Sequence, residues 1–154
     1  MARTCLLPNG RPRYRFVGDF DNDFAGRKAV SLAHDIDSNI LEYKDVFRVS
    51  LIMPFPGSLD PGNVQRTFER DNASYKGLDW ELEDLLPADV INAFLSDHPF
   101  AVSRVTSVND KVHREFTVDG KAQLHRFVKE HALHRDLIGV IDVMKTFRYY
   151  LGLK

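Results

Sequence analysis

The stretch Leu133–Leu151, LHRDLIGVIDVMKTFRYYL, decides how the chain is read. Leu133, Leu137, Val140, Met144, Phe147 and Leu151 follow one another at alternating steps of four and three. That spacing predicts an α-helix with one broad apolar face, which Ile138 and Ile141 widen. Asp136 in its first turn and Lys145 and Arg148 near its end suit the helix dipole. A long C-terminal helix with such a face is expected to anchor a core, and it carries no chemistry of its own.

Just upstream, Asp119-Gly120 opens a helix with Leu124, Phe127 and Val128 inward. Its phase does not continue into Leu133, so a break is expected between His131 and His134. Before it, Ala101–Val108 and Val112–Val118 form a hairpin around Asn109-Asp110. A three-residue loop pairs Val108 with Val112 and gathers Val102, Val108, Val112, Phe116 and Val118 on one face. That register is expected over the two-residue one, although it also brings Arg104 and Arg114 to the apolar face.

Toward the N-terminus, Arg13–Phe20 alternates as a first strand, and Asp23 caps a helix running to about Tyr43. Ala25, Ala29, Ala33, Ile36 and Ile40 recur there at helical spacing, the small residues implying close packing against another element. Asp45–Phe55 reads as a second strand, with Phe47, Val49, Leu51, Met53 and Phe55 on one side. Asp60-Pro61 starts a helix with Val64 and Phe68 inward. Ser74–Gly77 is a loop, Asp79–Leu86 a turn of helix, and Pro87–His98 a further helix. The order β-α-β-α-α-β-β-α-α predicts an α+β two-layer sandwich, with about four strands in a small, mainly antiparallel or mixed sheet packed by helices. Residues 1–12, punctuated by Pro8, Gly10 and Pro12, form a basic arm, and residues 13–154 a single globular domain.

The 154 residues carry 21 Lys and Arg against 22 Asp and Glu, a net charge of -1, which removes the electrostatic case for a strongly basic nucleic-acid or membrane-surface protein. No apolar run reaches the length of a membrane span. A lone Cys5 allows no internal disulfide and fits a reducing, cytoplasmic setting.

Three clusters invite a chemical reading. Asp19, Asp21 and Asp23 alternate as at the start of a calcium loop, but Phe24 stands where the glycine is needed and Val30 where the glutamate is. His34 and Asp37, three apart on a helix, would join those acids in a divalent-metal hydrolase or nuclease site if the loop folded back beside them. His131 and His134 lack the four-residue spacing of zinc helices, and no third ligand is evident beyond His125 and Glu130. Nucleophile elbows, phosphate loops and dinucleotide fingerprints are absent, so no cofactor is expected and enzyme is the weaker class.

Contact surfaces are better represented. Arg3, Arg11, Arg13 and Arg15 all precede the first acid, Asp19, and give the arm and the start of the first strand a positive run. Leu78–Leu86 combines acids and apolar residues around the only tryptophan, so an exposed Trp80 with Glu81, Glu83 and Asp84 would make a protein-binding hot spot. Arm and acidic segment are complementary, suggesting head-to-tail assembly with further copies. A non-enzymatic protein-interaction domain is therefore the leading expectation: an assembly subunit, adaptor or inhibitor of another intracellular protein. The metal hydrolase comes second. A single-stranded nucleic-acid binder using the arm with Lys145, Arg148, Tyr149, Tyr150 and Lys154 comes third.

Overall fold

The structure is a computed structural model that describes residues 16–54 and 60–153. The 1–12 arm, Arg13, Arg15, Phe55 and Lys154 lie outside the described residues. The described chain is mixed α/β with five α-helices and two small two-stranded sheets: β1 (Gly18–Phe20), α1 (Phe24–Ile36), β2 (Val46–Arg48), α2 (Pro61–Asp71), α3 (Ala88–Asp97), β3 (Val102–Val108), β4 (Lys111–Phe116), α4 (Val118–His131) and α5 (Ile138–Tyr150). Short 3₁₀ turns occupy Ala73–Tyr75, Leu82–Leu85 and His134–Leu137.

The four strands do not join into the one sheet that a two-layer sandwich requires. β1 and β2 pair in parallel, Asp19 opposite Phe47, while β3 and β4 form a separate antiparallel ribbon. The expected strand from Asp45 leaves its ladder after Arg48, the last cross-strand bond being Val49 N–H to the Phe20 carbonyl. Beyond it the backbone finds other partners: Asn72 accepts from Ile52 N–H and donates to the Ile52 carbonyl, and Ser50 Oγ donates to the same carbonyl. Backbone N–H and C=O groups that leave a ladder take other partners, and here side chains replace a neighbouring strand.

Helix starts follow the sequence closely. Asp23 accepts from Gly26 N–H at 2.6 Å and Asp60 from Asn63 N–H at 2.8 Å. Val64 and Phe68 on α2 are buried as expected. α1 stops at Ile36, short of Tyr43, and Gly26 and Val30 are its buried residues, while Leu32 and Ile36 face solvent. Gly26 explains this rotation: a Cβ there would stand 1.8 Å from the Asp21 carbonyl oxygen, so only glycine lets the helix press on the incoming chain.

The break before the C-terminal helix is present, α4 ending at His131. The buried face of α5, however, is shifted one residue from the expected stripe. Gly139 sits against the Leu85 carbonyl, and Val143, Thr146 and Tyr150 are buried, whereas Leu133 and Met144 are more than half exposed. Positions 139, 143, 146 and 150 have the same four-three spacing as 140, 144, 147 and 151, turned by about 100°. Thr146 is tolerated there because its hydroxyl donates to the Asp142 carbonyl within the helix.

Among the described residues three clusters form the core. Tyr43, Phe47, Val64, Phe68 and Tyr150 make the first, with the Phe47 and Tyr150 rings 4.8 Å apart. Ile91, Phe94, Ala101, Phe116 and Leu124 make the second, under the hairpin. Val49, Leu78 and Trp80 make the third, packed by Leu51, Leu85 and Val108.

The hairpin takes the two-residue register, Val108 opposite Lys111, instead of the three-residue one. Asn109 adopts a left-handed φ of 54°, which asparagine tolerates better than most residues. Its side-chain amide donates to the Ser74 carbonyl at 2.7 Å, and Tyr75 Oη donates to Asp110 at 3.2 Å. The 3₁₀ turn at 73–75 therefore holds the loop in its tight form. Val112 and Phe116 remain on one face, a bulge between Val102 and Arg104 restoring Val102 to it, and Val118 leaves the ladder altogether.

Candidate functional site

The acidic tryptophan segment is drawn into the body. Trp80 is 6% exposed, so the exposure that a hot spot at this residue requires is not met. The segment is tied down along its length. Asn22 and Trp80 exchange backbone hydrogen bonds, and Asp21 accepts from Leu82 N–H at 3.3 Å. Asp84 accepts from Glu81 N–H at 2.8 Å and from His113 Nδ1 at 2.6 Å. Glu81 meets Lys121 of α4 at 2.8 Å, and Glu83 approaches the same ammonium at 3.6 Å. Burial pushes the Asp84 and Glu81 carboxyls up from their ordinary values; the bonds to His113 and Glu81 N–H, and the Lys121 ammonium, pull the other way. These charges serve the fold, and among the described acids of the segment the Glu83 side chain is 21% exposed against 10% for Glu81 and 3% for Asp84.

The residues of the metal reading do not converge. Asp23 is committed to the α1 cap, His34 Nδ1 bonds the Ile40 carbonyl at 3.1 Å, and Asp37 accepts from the Asn39 side chain at 2.8 Å. Among the described residues no group of three or more histidine, cysteine or acidic side chains is placed to hold a metal ion, which removes the geometry that reading required of Asp19, Asp21, Asp23, His34 and Asp37. His131 stacks on Phe127 and bonds its carbonyl, so the second histidine cluster is local as well. Asp19 keeps an exposed surface, but partial burial of its carboxyl, then the charge of Asp21, push its pKa up to about 7.

A cleft of about 460 Å³ opens between α1 and the start of α2, lined by His34 of the metal reading and by Glu42, Tyr43 and Arg48, for which the sequence suggested no chemistry. At its floor Arg48 donates to Glu42 Oε1 at 2.5 Å, to Asn22 Oδ1 at 3.0 Å and to the Tyr43 hydroxyl at 3.3 Å. Its guanidinium lies 5.7 Å from the Phe68 ring centre. Burial, then the charge of Glu42, hold the Tyr43 hydroxyl well above its usual pKa. Three donors are thus spent inside the protein, and Glu42 offsets the charge, an arrangement that supports the fold around a left-handed Tyr43 at φ 66°. Ser31 and His34 both line the cleft, and the His34 Nδ1 is taken up by the Ile40 carbonyl at 3.1 Å.

The nucleic-acid reading loses one of its stacking residues, since Tyr150 is 1% exposed and packed on Phe47. Lys145 is paired with Asp142 at 2.8 Å. Among the described residues no helix is long and apolar enough to cross a membrane.

Several large apolar side chains are left uncovered among the described residues. Phe100 is 91% exposed and Val118 87%. Each is the chain neighbour of a residue in the bond from Thr117 N–H to the Ala101 carbonyl, where the two chains of the hairpin diverge. Thr117 caps α4 through Gly120 N–H at 3.0 Å, and a Cβ at Gly120 would meet the Ala101 carbonyl oxygen at 2.2 Å, so both backbones are held close. The pair is thus presented on a fixed frame. A second exposed set, Phe24, Leu32 and Ile36, lies along the outer side of α1. Neither set was legible as surface in the sequence: Val118 and Ile36 were counted as core, and Phe100 followed Pro99 without any pattern.

No family model, no curated protein and no solved structure matches this chain.

Proposed function

We propose that the chain is a non-enzymatic protein-interaction domain whose contact surface includes Phe100 and Val118. The observation that carries the reading is the near-complete exposure of two large apolar side chains on backbone segments tied together by a ladder-end hydrogen bond and a helix cap. Exposed apolar patches on ordered elements mark partner sites, and rigid aromatic anchors dominate binding energy. The role fits an assembly subunit, adaptor or inhibitor, with the 13–154 body acting as one unit. Arg11, Arg13 and Arg15 belong to the same reading as a basic contact for an acidic partner surface.

The test compares wild type with a Phe100→Ser/Val118→Ser variant as bait in an extract of the cells that make the protein. Specific partners retained by wild type and lost by the variant, with an unchanged melting temperature, support the reading. Identical capture by the two baits overturns it.

A further inference from the structure

The outer side of α1 carries an apolar strip of Leu32, Ala25 and Ile36, bordered on one side by Lys28 and Asp35, charges that no other part of the described chain uses, with Phe24 beyond them. Phe24 is 75% exposed, Leu32 54% and Ile36 77%, and Ala25 between them is exposed as well. Gly26 and Val30 face the body, so this strip points away from it. Arg27 is drawn aside to Asp79 at 2.9 Å, and His34 is bonded to the Ile40 carbonyl. Lys28 and Asp35 remain, both exposed and without an ion pair among the described residues.

Lys28 and Asp35 are seven residues apart, so they lie on the same flank of the strip, about 20° from alignment. When two identical helices pack antiparallel about a two-fold axis, each flank meets its own counterpart in the other copy. A positive residue near one end and a negative one near the other, on one flank, is therefore self-complementary. The midpoint of the two falls between Ser31 and Leu32, which puts Leu32 at the axis. Ile36 then lies over the partner's Ala25 and the partner's Ala29, small residues that leave a hollow for it.

We propose that α1 is the interface of a symmetric homodimer, its two helices antiparallel, with Lys28 opposite the partner's Asp35 and Asp35 opposite the partner's Lys28. The proposal rests on the interaction reading in kind, but on a different surface from Phe100 and Val118. A helix of 13 residues is about 20 Å long and buries less than a standard interface, so the dimer is weak and salt-sensitive.

Sedimentation equilibrium over about three decades of protein concentration tests it. Wild type shifts from monomer to dimer, and high salt moves the shift to higher concentration. Leu32→Asp abolishes it. Lys28→Glu or Asp35→Lys alone weakens association by roughly tenfold, since two symmetric attractions become repulsions. The Lys28→Glu/Asp35→Lys double exchange restores it. All these positions are exposed, and unchanged melting temperatures confirm that the variants fold. A monomer at every concentration overturns the proposal, as does a dimer indifferent to Leu32→Asp or one that the double exchange fails to restore. Phe100→Ser/Val118→Ser leaves the dimer unchanged, so this result and the capture experiment fail or succeed separately.

Discussion

His113 and Asp84 meet at 2.6 Å, Nδ1 to Oδ2, with side chains 7% and 3% exposed. Histidine beside a carboxylate is familiar as a catalytic pair, but this one is enclosed and its carboxylate is shared with the N–H groups of Glu81 and Arg114. It fastens the Leu82–Leu85 turn to β4. One buried contact thus accounts for the acidic segment that, by composition alone, reads as a partner surface.

Removing one member of that pair leaves the other buried without its partner. Asp84→Ala should cost about 3 kcal/mol, since His113, Glu81 N–H and Arg114 N–H all lose an acceptor. His113→Leu should cost less because the two backbone donors still hold the carboxylate. Urea unfolding of the two variants checks the order; equal losses would show that the turn does not depend on this carboxylate.

The rotation of α5 separates two substitutions that the apolar pattern ranks the other way. Tyr150→Ala removes a ring 1% exposed and tilted against Phe47, so a loss of about 3 to 5 kcal/mol is expected. Met144→Ala, at a residue 55% exposed, should change stability by less than about 0.5 kcal/mol. Thermal or chemical denaturation decides between them.

Gly26→Ala places a methyl where the Asp21 carbonyl oxygen stands, with backbone on both sides of the clash. A loss of about 3 kcal/mol or more is expected, against the gain that alanine usually brings within a helix. Gly62→Ala on α2, where a Cβ would have a 3.4 Å contact with the Asp60 side chain only, should be tolerated and serves as the control.

Asp19 is expected to titrate near pH 7, because partial burial and then Asp21 raise it from 3.8. The unfolded carboxyl releases its proton first. The folded state therefore holds more protons between these values, and the stability this group contributes is complete below about pH 4, declines as pH rises and is gone above about pH 7. The exposed surface of Asp19 keeps that contribution small, so carboxyl-resolved NMR titration is the sensitive measurement. Asp21→Asn should lower the midpoint; an unmoved midpoint would mean that the Asp21 charge has no part in it.

The sequence by itself determined the local events. Caps at Asp23 and Asp60, the break after His131, the hairpin around Asn109-Asp110 and the existence of a C-terminal helix all depend on neighbours within a few residues, and those neighbours are visible in the chain. Tertiary contact decided which side of each element is inside. Counting apolar residues assigns Met144 to the core and passes over Gly139 and Thr146, yet the close approach at Leu85 and the packing of Tyr150 on Phe47 select the face that carries them. Strand length and register were set in the same way, by Asn72 capturing Ile52 and by Ser74 and Tyr75 holding the hairpin loop. Burial of Trp80 and exposure of Phe100, Val118 and Ile36 follow from partners distant in sequence. A side chain's hydrophobicity states what its burial is worth; where the backbone can approach closely enough decides whether that burial occurs.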